Sequence, residues 1–461
     1  MQELIYNIRE VLNLKFRFVN SNRLLFKQLI NIINEFISPK DISKEGEFIL
    51  QDFINKKMIT RNPLLYFNYK FSNDVIFHDL YIRDYDGEVY AKGVSFDINE
   101  AFAKVLGEFL ERKYTKFLHK SRKLIRASQI EILNISKSKG LGYLDIAKLN
   151  KPSDNQIKNN KELFYWDENS KFEWTTARDY LNDKDILVPA QVASWGQYAE
   201  VKEPYIFNKT SNGCGAAYNK EDAFKSAVLE LIQRDAFFQY WNNNLSPDII
   251  DDSSITSEKI KHLLNILKEQ GFKIYLLNMT KKAKIPTVCA VIGKVNTGYF
   301  VGASTAYTME SALYRAIEES FAAYVWYFEN LRSGDYKIED FVLNKVKGDF
   351  TDRRMVPPIR TMLWASKFFT EQVKDKTDFL FNGKLIDYDN KILEDSFDLK
   401  AHIKANYESC FVVAEGMVPE YNYNYVKVLI LPMYQLYLYE MDAFPIVGGS
   451  YPQNTTPHPF P

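Results

Sequence analysis

Ser211 to Trp241 reads SNGCGAAYNKEDAFKSAVLELIQRDAFFQYW, and its pattern organises the rest of the chain. A glycine-rich turn, Asn212 to Gly215, leads into a stretch of helical periodicity. Within it Ser226, Glu230 and Arg234 recur every four residues. At about 3.6 residues per turn they fall on nearly one line of a helix. The opposite stripe, Phe224, Val228, Leu231 and Ile232, is apolar and is expected to face a core.

The pattern occurs again in GVSFDINEAFAKVLGEFLER, Gly93 to Arg112, and in VGASTAYTMESALYRAIEESF, Val301 to Phe321. Laid over one another without gaps, the copies align Ala101, Ala223 and Ala312, and then Glu108, Glu230 and Glu319. Each has an aromatic (Phe96, Tyr218, Tyr307) followed by a capping residue (Asp97, Asn219, Thr308). This order predicts helices that start alike: the cap oxygen takes a backbone N–H of the first turn, and the aromatic closes over the alanine as a hydrophobic staple.

A carboxylate repeated at one register is worth most if the helices converge, because clustered acids repel unless a cation sits among them. Glu108 and Glu111 add weight, since residues three apart share a helix face and can grip one ion or two neighbouring ions. Mg2+ takes oxygen ligands and is usually shared between one or two carboxylates and a phosphate. The residues therefore point to a Mg–phosphate site, with Arg112 and Arg234 available for phosphate oxygens. The competing reading is that the glutamates are solvated or salt-bridged helix positions, and the repeated register weighs against it.

SNGCGAA, followed by SAVLELIQRDAF and a tryptophan, resembles the central signature of the YcaO family. KGVSFDINEAFAKVLGEFLER resembles its first Ser/Glu/Glu-Arg helix, and ALYRAIEES its third. VPAQV resembles the family's approach to the central turn, and the PHPFP of Pro457 to Pro461 is similar to the proline-rich end of its azoline-forming members, so the resemblance runs from about Lys92 to Pro461. It implies an α+β fold of mixed β-sheets over residues 63–461, with the repeated helices lining an ATP/Mg cavity. The implied activity is ATP-dependent cyclodehydration of Cys, Ser or Thr in a ribosomally made peptide, through phosphorylation of the backbone amide oxygen, to thiazoline or oxazoline. Carried over residue by residue, it assigns Glu108, Glu111, Glu230 and Glu319 to Mg2+. Lys104, Arg112, Gly213, Gly215, Ser226, Gln233 and Arg234 go to ATP, and His458 and Pro461 to catalysis, the Pro461 carboxylate as proton acceptor. The implied partners are a peptide substrate with a leader and a ThiF-like, leader-binding protein; a flavin-dependent azoline dehydrogenase and a homodimer are compatible with it.

The chain departs from the family pattern at named places. Gln233 stands where a second glutamate is usual, Ala322 where a glutamine is usual, and Lys104 where a small polar residue is common. No arginine follows Arg360, so a late nucleotide-contacting arginine is missing. Two alternatives stay open: a degenerate, non-catalytic scaffold binding peptide or partner, and ATP-dependent thioamide or amidine formation.

Composition agrees with a large folded enzyme. The 461 residues are 46% hydrophobic, and Lys+Arg and Asp+Glu both total 59, so no global charge argues for nucleic acid or a membrane. The first residues, MQELIYNIREVLNLKF, lack a signal-peptide pattern. Cys214, Cys289 and Cys410 have no metal-type spacing and suggest reduced thiols in the cytoplasm, with Cys289 as core filling. Residues 1–62 read as a small helical module, compatible with a winged-helix-like unit. KPSDNQIKNNKEL, Lys151 to Leu163, reads as an insertion or exposed loop. FVVAEGMVP and YVKVLILP read as buried strands, each closed by a proline.

Overall fold

In a computed structural model the described residues are 59–85, 89–116, 123–159, 161–195, 203–280, 284–333, 357–393, 397–437, 453–454 and 456–460, with Asp52 and Lys56. They fall into two compact units: one takes the residues up to Phe109 and from Tyr324 to Ser333, the other takes the rest. Residues 1–51 of the expected helical module lie outside the described residues. The expected boundary after residue 62 falls inside a strand, Ile59–Lys70.

That strand, β1, pairs antiparallel with β2 (Ile76–Asp84), which pairs with β3 (Tyr90–Ser95). Phe77, Leu80 and Ile82 of β2 are fully buried. From β3 the chain turns directly into helix α1 (Ile98–Thr115).

In the second unit β4 (Ile125–Ala127), β5 (Gly142–Tyr143), β6 (Phe172–Asp179), β7 (Lys184–Pro189) and β8 (Cys214–Ala217) join one sheet. Helix α2 (Lys220–Asn242) follows β8. A second sheet runs in the order β12-β11-β10-β9-β13, from β9 (Asp248–Ile250), β10 (Lys273–Asn278), β11 (Thr287–Gly293), β12 (Tyr299–Thr305) and β13 (Leu385–Ile386), with helix α3 (Met309–Ser333) after β12. The hairpin β14 (Ser409–Val418) and β15 (Tyr423–Leu431) completes the first of these sheets in the order β5-β7-β6-β14-β15-β8.

Period-two alternation along β15 divides two cores. Leu429 and Leu431 join Phe172, Trp174 and Ile132 on one face, while Val426, Val428 and Ile430 join Ala223, Val228 and Leu231 of α2 on the other. The apolar stripe read from α2 is therefore its sheet-facing side. Lys151 to Leu163 departs from the expected loop: two short helices, Asp154–Asn159 and Lys161–Phe164, form there, held by a Ser153–Gln156 side-chain cap and by fully buried Phe164. One buried aromatic at the end of a polar run is enough to anchor it.

The repeated motif has a common physical basis. Asp97 Oδ1 accepts from Glu100 N at 2.9 Å, Asn219 Oδ1 from Asp222 N at 2.7 Å and Thr308 Oγ1 from Ser311 N at 3.0 Å, each cap contributing about 1 kcal/mol. Ala101, Ala223 and Ala312 are all fully buried because the preceding strand lies hard against the helix. A Cβ on Gly93 would sit 2.1 Å from Ala101 O, and one on Gly215 2.3 Å from Ala223 O. In the third copy the contact moves: a Cβ on Gly302 would sit 2.6 Å from Ala316 O and 2.2 Å from Ser320 N, two residues back along the strand and one turn on along the helix. The aromatics before the caps rest on other rings, Phe96 on Phe77 at 5.0 Å and Tyr307 on Phe397 at 6.0 Å; Tyr218 is 65% exposed and meets Tyr423, so it does not act as a buried staple.

Candidate functional site

Glu108 and Glu230 perform the same local task. Glu108 Oε2 accepts the backbone N–H of Lys92 at 2.8 Å, and Glu230 Oε2 that of Gly213 at 2.9 Å. In these two copies the carboxylate reaches back from the helix to the strand or turn that precedes it. Lys92 also turns its ammonium to Asp79 Oδ2 at 3.2 Å, where Asp79 is fully buried. The third copy breaks the pattern: Glu319 is exposed, whereas its neighbour Glu318 is fully buried. The shifted Gly302 contact accounts for the different surroundings of this helix.

Around Glu230 the second unit gathers opposite charges. Arg234 Nη2 lies 3.6 Å from Glu230 Oε1, one turn on. Burial pushes the Glu230 carboxyl above its ordinary range, while Arg234, the Gly213 N–H and Lys427 pull it down. Its side chain keeps 29% of its surface open, so an ion can reach it. Arg234 Nε and Nη1 are shielded from solvent and make no hydrogen bond among the described residues. Cys214, on the same turn, is 3% exposed; burial, with Glu111 and Glu230 nearby, pushes its thiol up to about 12 although Lys427 and Thr115 oppose the shift. A thiol so placed is inert, as burial also makes Cys289 and Cys410.

The other expected site residues are placed as follows. Glu111, Arg112 and Gln233 are half-buried, and Ser226 is exposed. Lys104 donates to Val94 O at 3.1 Å and pairs with Glu100 at 3.4 Å, so its ammonium is engaged locally. Gly213 takes φ 76°, and a Cβ there would meet Val428 O at 2.3 Å. Close strand–helix packing therefore explains both Gly213 and Gly215 without a ligand. Among the described residues, no three His, Cys, Asp or Glu side chains stand close enough together to hold a metal.

The terminal segment is packed against α2. Gln453 N donates to Asn242 O at 2.7 Å, and Trp364 Nε1 to Pro457 O at 2.9 Å. Phe460 meets Phe237 edge-on at 4.4 Å and lies under Arg234, whose Cζ is 4.6 Å from the ring centre. His458 is fully buried with Nε2 3.0 Å from Tyr437 O. A carbonyl can only accept, so Nε2 carries the proton. Burial, with Arg360 and Arg234 nearby, holds the ring well below its usual pKa and therefore neutral. This geometry makes His458 an anchor of the segment. Pro461 lies outside the described residues.

The residues fit a bound Mg2+–phosphate group. A buried guanidinium edge without an acceptor among the described residues suits an anion, and the partly open Glu230 carboxylate beside it offers oxygens to a cation. One or two carboxylates suffice when phosphate oxygens and water complete the Mg2+ shell. Lys427 escaped the sequence reading. It is 2% exposed on β15, and its only signal was a lysine in the otherwise apolar run VKVLIL.

Residues 92–430 match the family model described as YcaO cyclodehydratase, ATP- and Mg2+-binding. A heterocyclase in complex with substrate and cofactor superposes with a TM-score of 0.61 at 16% identity, over 83% of this chain and 52% of that one. The E. coli microcin synthetase McbBCD complex with pro-MccB17 bound gives 0.60 at 17% identity, over 86% and 96%. YcaO from Methanopyrus kandleri, bound with AMPPCP and Mg2+, gives 0.56 at 14% identity, over 90% and 95%. An uncharacterized protein of Methanothermobacter thermautotrophicus is 25% identical over 130 residues, 26% of this chain and 32% of that relative. The chain thus spans about half of the heterocyclase and about a third of the curated relative it matches. These likenesses agree with the mixed α+β architecture described above. No helix among the described residues is long and apolar enough to cross a membrane.

Proposed function

The chain belongs to the YcaO family, and from that premise we propose that it catalyses ATP-dependent cyclodehydration of Cys, Ser or Thr residues in a peptide, giving thiazoline or oxazoline. Bound Mg·ATP would supply the phosphoryl group that turns the amide oxygen into a leaving phosphate. Overall the peptide loses one water while ATP becomes ADP and phosphate.

The observation that carries the reading is the chain of contacts Gly213–Glu230–Arg234–Phe460. Glu230, which takes the Gly213 N–H on one oxygen and pairs with Arg234 on the other, would offer its carboxylate to Mg2+, with Glu111 of α1 as the second carboxylate. Arg234, fixed by Phe460 and paired with Glu230, would supply positive charge for phosphate oxygens at this site. Its charge balances what develops there without reorganisation, because the guanidinium is already desolvated and stacked. Phe460 and His458 fix the backbone leading to Pro461, the proposed proton acceptor from the substrate amide. Glu108 and Glu319 remain proposed ligands, and Ser226, Gln233, Lys104 and Arg112 proposed nucleotide contacts.

The microcin synthetase and heterocyclase likenesses support a peptide substrate and partner proteins. We assign the partner role to a ThiF-like, leader-binding protein. The test is phosphate release measured beside mass loss of a Cys-containing leader peptide in the presence of that partner. Both should proceed together and both should stop with Glu230→Ala. Peptide binding without either reaction, unaffected by the substitution, would replace this reading with the scaffold one.

A further inference from the structure

A lysine only 2% exposed in a hydrophobic strand is costly unless its ammonium is used. Lys427 sits between Val426 and Val428, which face the α2 core, so alternation turns it to the opposite side of β15. There Nζ donates to Thr210 O at 2.6 Å and approaches Asn212 O at 3.4 Å and Cys214 Sγ at 3.9 Å. Among the described residues it has no carboxylate within ion-pair distance. The ammonium is spent on the carbonyls of the turn that leads into β8.

The same turn is held from its other side by Glu230, which takes the Gly213 N–H at 2.9 Å. Gly213 O accepts from Val428 N at 2.8 Å, next to Lys427 in β15. A cation thus grips the turn's carbonyls and an anion grips its amide. Lys427 is also among the charges that favour the ionised form of Glu230.

We propose that Lys427 is a positioning residue for Glu230: it fixes the Thr210–Cys214 turn, and the turn fixes the carboxylate that holds the metal–phosphate group. This rests on the function proposed above for the metal–phosphate half, while the fixing of the turn stands apart from it. Through the turn, Lys427 supplies order and positive potential in a chain with no arginine after Arg360.

The test uses the full chain and its Lys427→Met, Glu230→Gln and double variants, each checked by thermal melting. Amide exchange of the peptide covering residues 209–217 is measured without nucleotide, and Mg·ATP affinity by calorimetry. Lys427→Met should speed exchange in that peptide and weaken Mg·ATP about 10–100-fold, the range for groups that orient metal ligands. In the Glu230→Gln background the same change should weaken binding less than about twofold, because coupled residues are not additive. Should Lys427→Met fail to fold, Lys427→Gln, which keeps an uncharged N–H donor group, replaces it. Unchanged exchange at 209–217 overturns the inference whatever the nucleotide does, and equal losses in both backgrounds overturn the link to Glu230. A wild-type chain that binds no Mg·ATP, yet shows faster exchange in Lys427→Met, overturns the proposed function and keeps the fixing of the turn.

Discussion

Phe460 lies against the guanidinium of Arg234, with Cζ 4.6 Å from the ring centre, and so joins the terminal segment to the helix that carries Glu230. The ring also meets Phe237 edge-on at 4.4 Å. A cation–π contact of this desolvated kind contributes about 2 kcal/mol.

Phe460→Ala should therefore weaken Mg·ATP as well as the fold. We expect a stability loss of about 3–5 kcal/mol from the vacated space, and a fall in nucleotide affinity persisting at temperatures where the variant is fully folded. Calorimetry beside denaturant melts separates the two. Unaltered nucleotide affinity would remove Arg234 from the phosphate role.

Gly215→Ala should be costlier than Gly140→Ala. At Gly215 the added Cβ meets Ala223 O at 2.3 Å, whereas at Gly140 nothing lies within 4 Å and only the φ of 65° is strained. Overpacking against backbone costs about 1–3 kcal/mol or more, against about 1–2 kcal/mol for a left-handed alanine. Urea midpoints of the two variants give the comparison, and equal losses would refute the close-packing account.

The raised carboxyl of Glu230 makes metal binding pH-dependent. A folded-state pKa above the unfolded one stabilises the fold at low pH, and that contribution is lost as pH rises through the folded value. Mg2+ needs the ionised form, so binding should release a proton and tighten with rising pH until Glu230 is ionised. Glu230→Gln should flatten that dependence. Proton release measured by calorimetry in buffers of different ionisation enthalpy checks the sign.

Cys214 should not react with iodoacetamide at pH 8 in the folded protein. Its thiol is buried and pushed up to about 12, so almost no thiolate exists. Mass spectrometry before and after denaturant should show alkylation only in the unfolded chain. Rapid labelling of the native protein would place Cys214 at an open surface.

The helix starts were legible because each depends on neighbours in sequence: Asp97, Asn219 and Thr308 cap helices through the backbone of the very next turn. The buried stripe of α2 and the buried strands β14 and β15 were legible for the same reason, since apolar patterning along one segment is a local property. Glu319 was not legible in this way. Its register matched Glu108 and Glu230, but the strand–helix contact that sets a side chain's surroundings had slid by one turn, which no gapless alignment reveals.

By itself the sequence determined the helices of the repeated motif with their capped starts, the two buried strands before the terminal segment and the family to which the chain belongs. Only the tertiary structure decided that Lys427 faces a turn more than 200 residues earlier, that Phe460 covers Arg234 and that His458 is neutral and buried. The physical reason is one of range. Local hydrogen bonds and periodicity are written in adjacent residues, whereas the pairing of a buried charge depends on which distant segment removes its water.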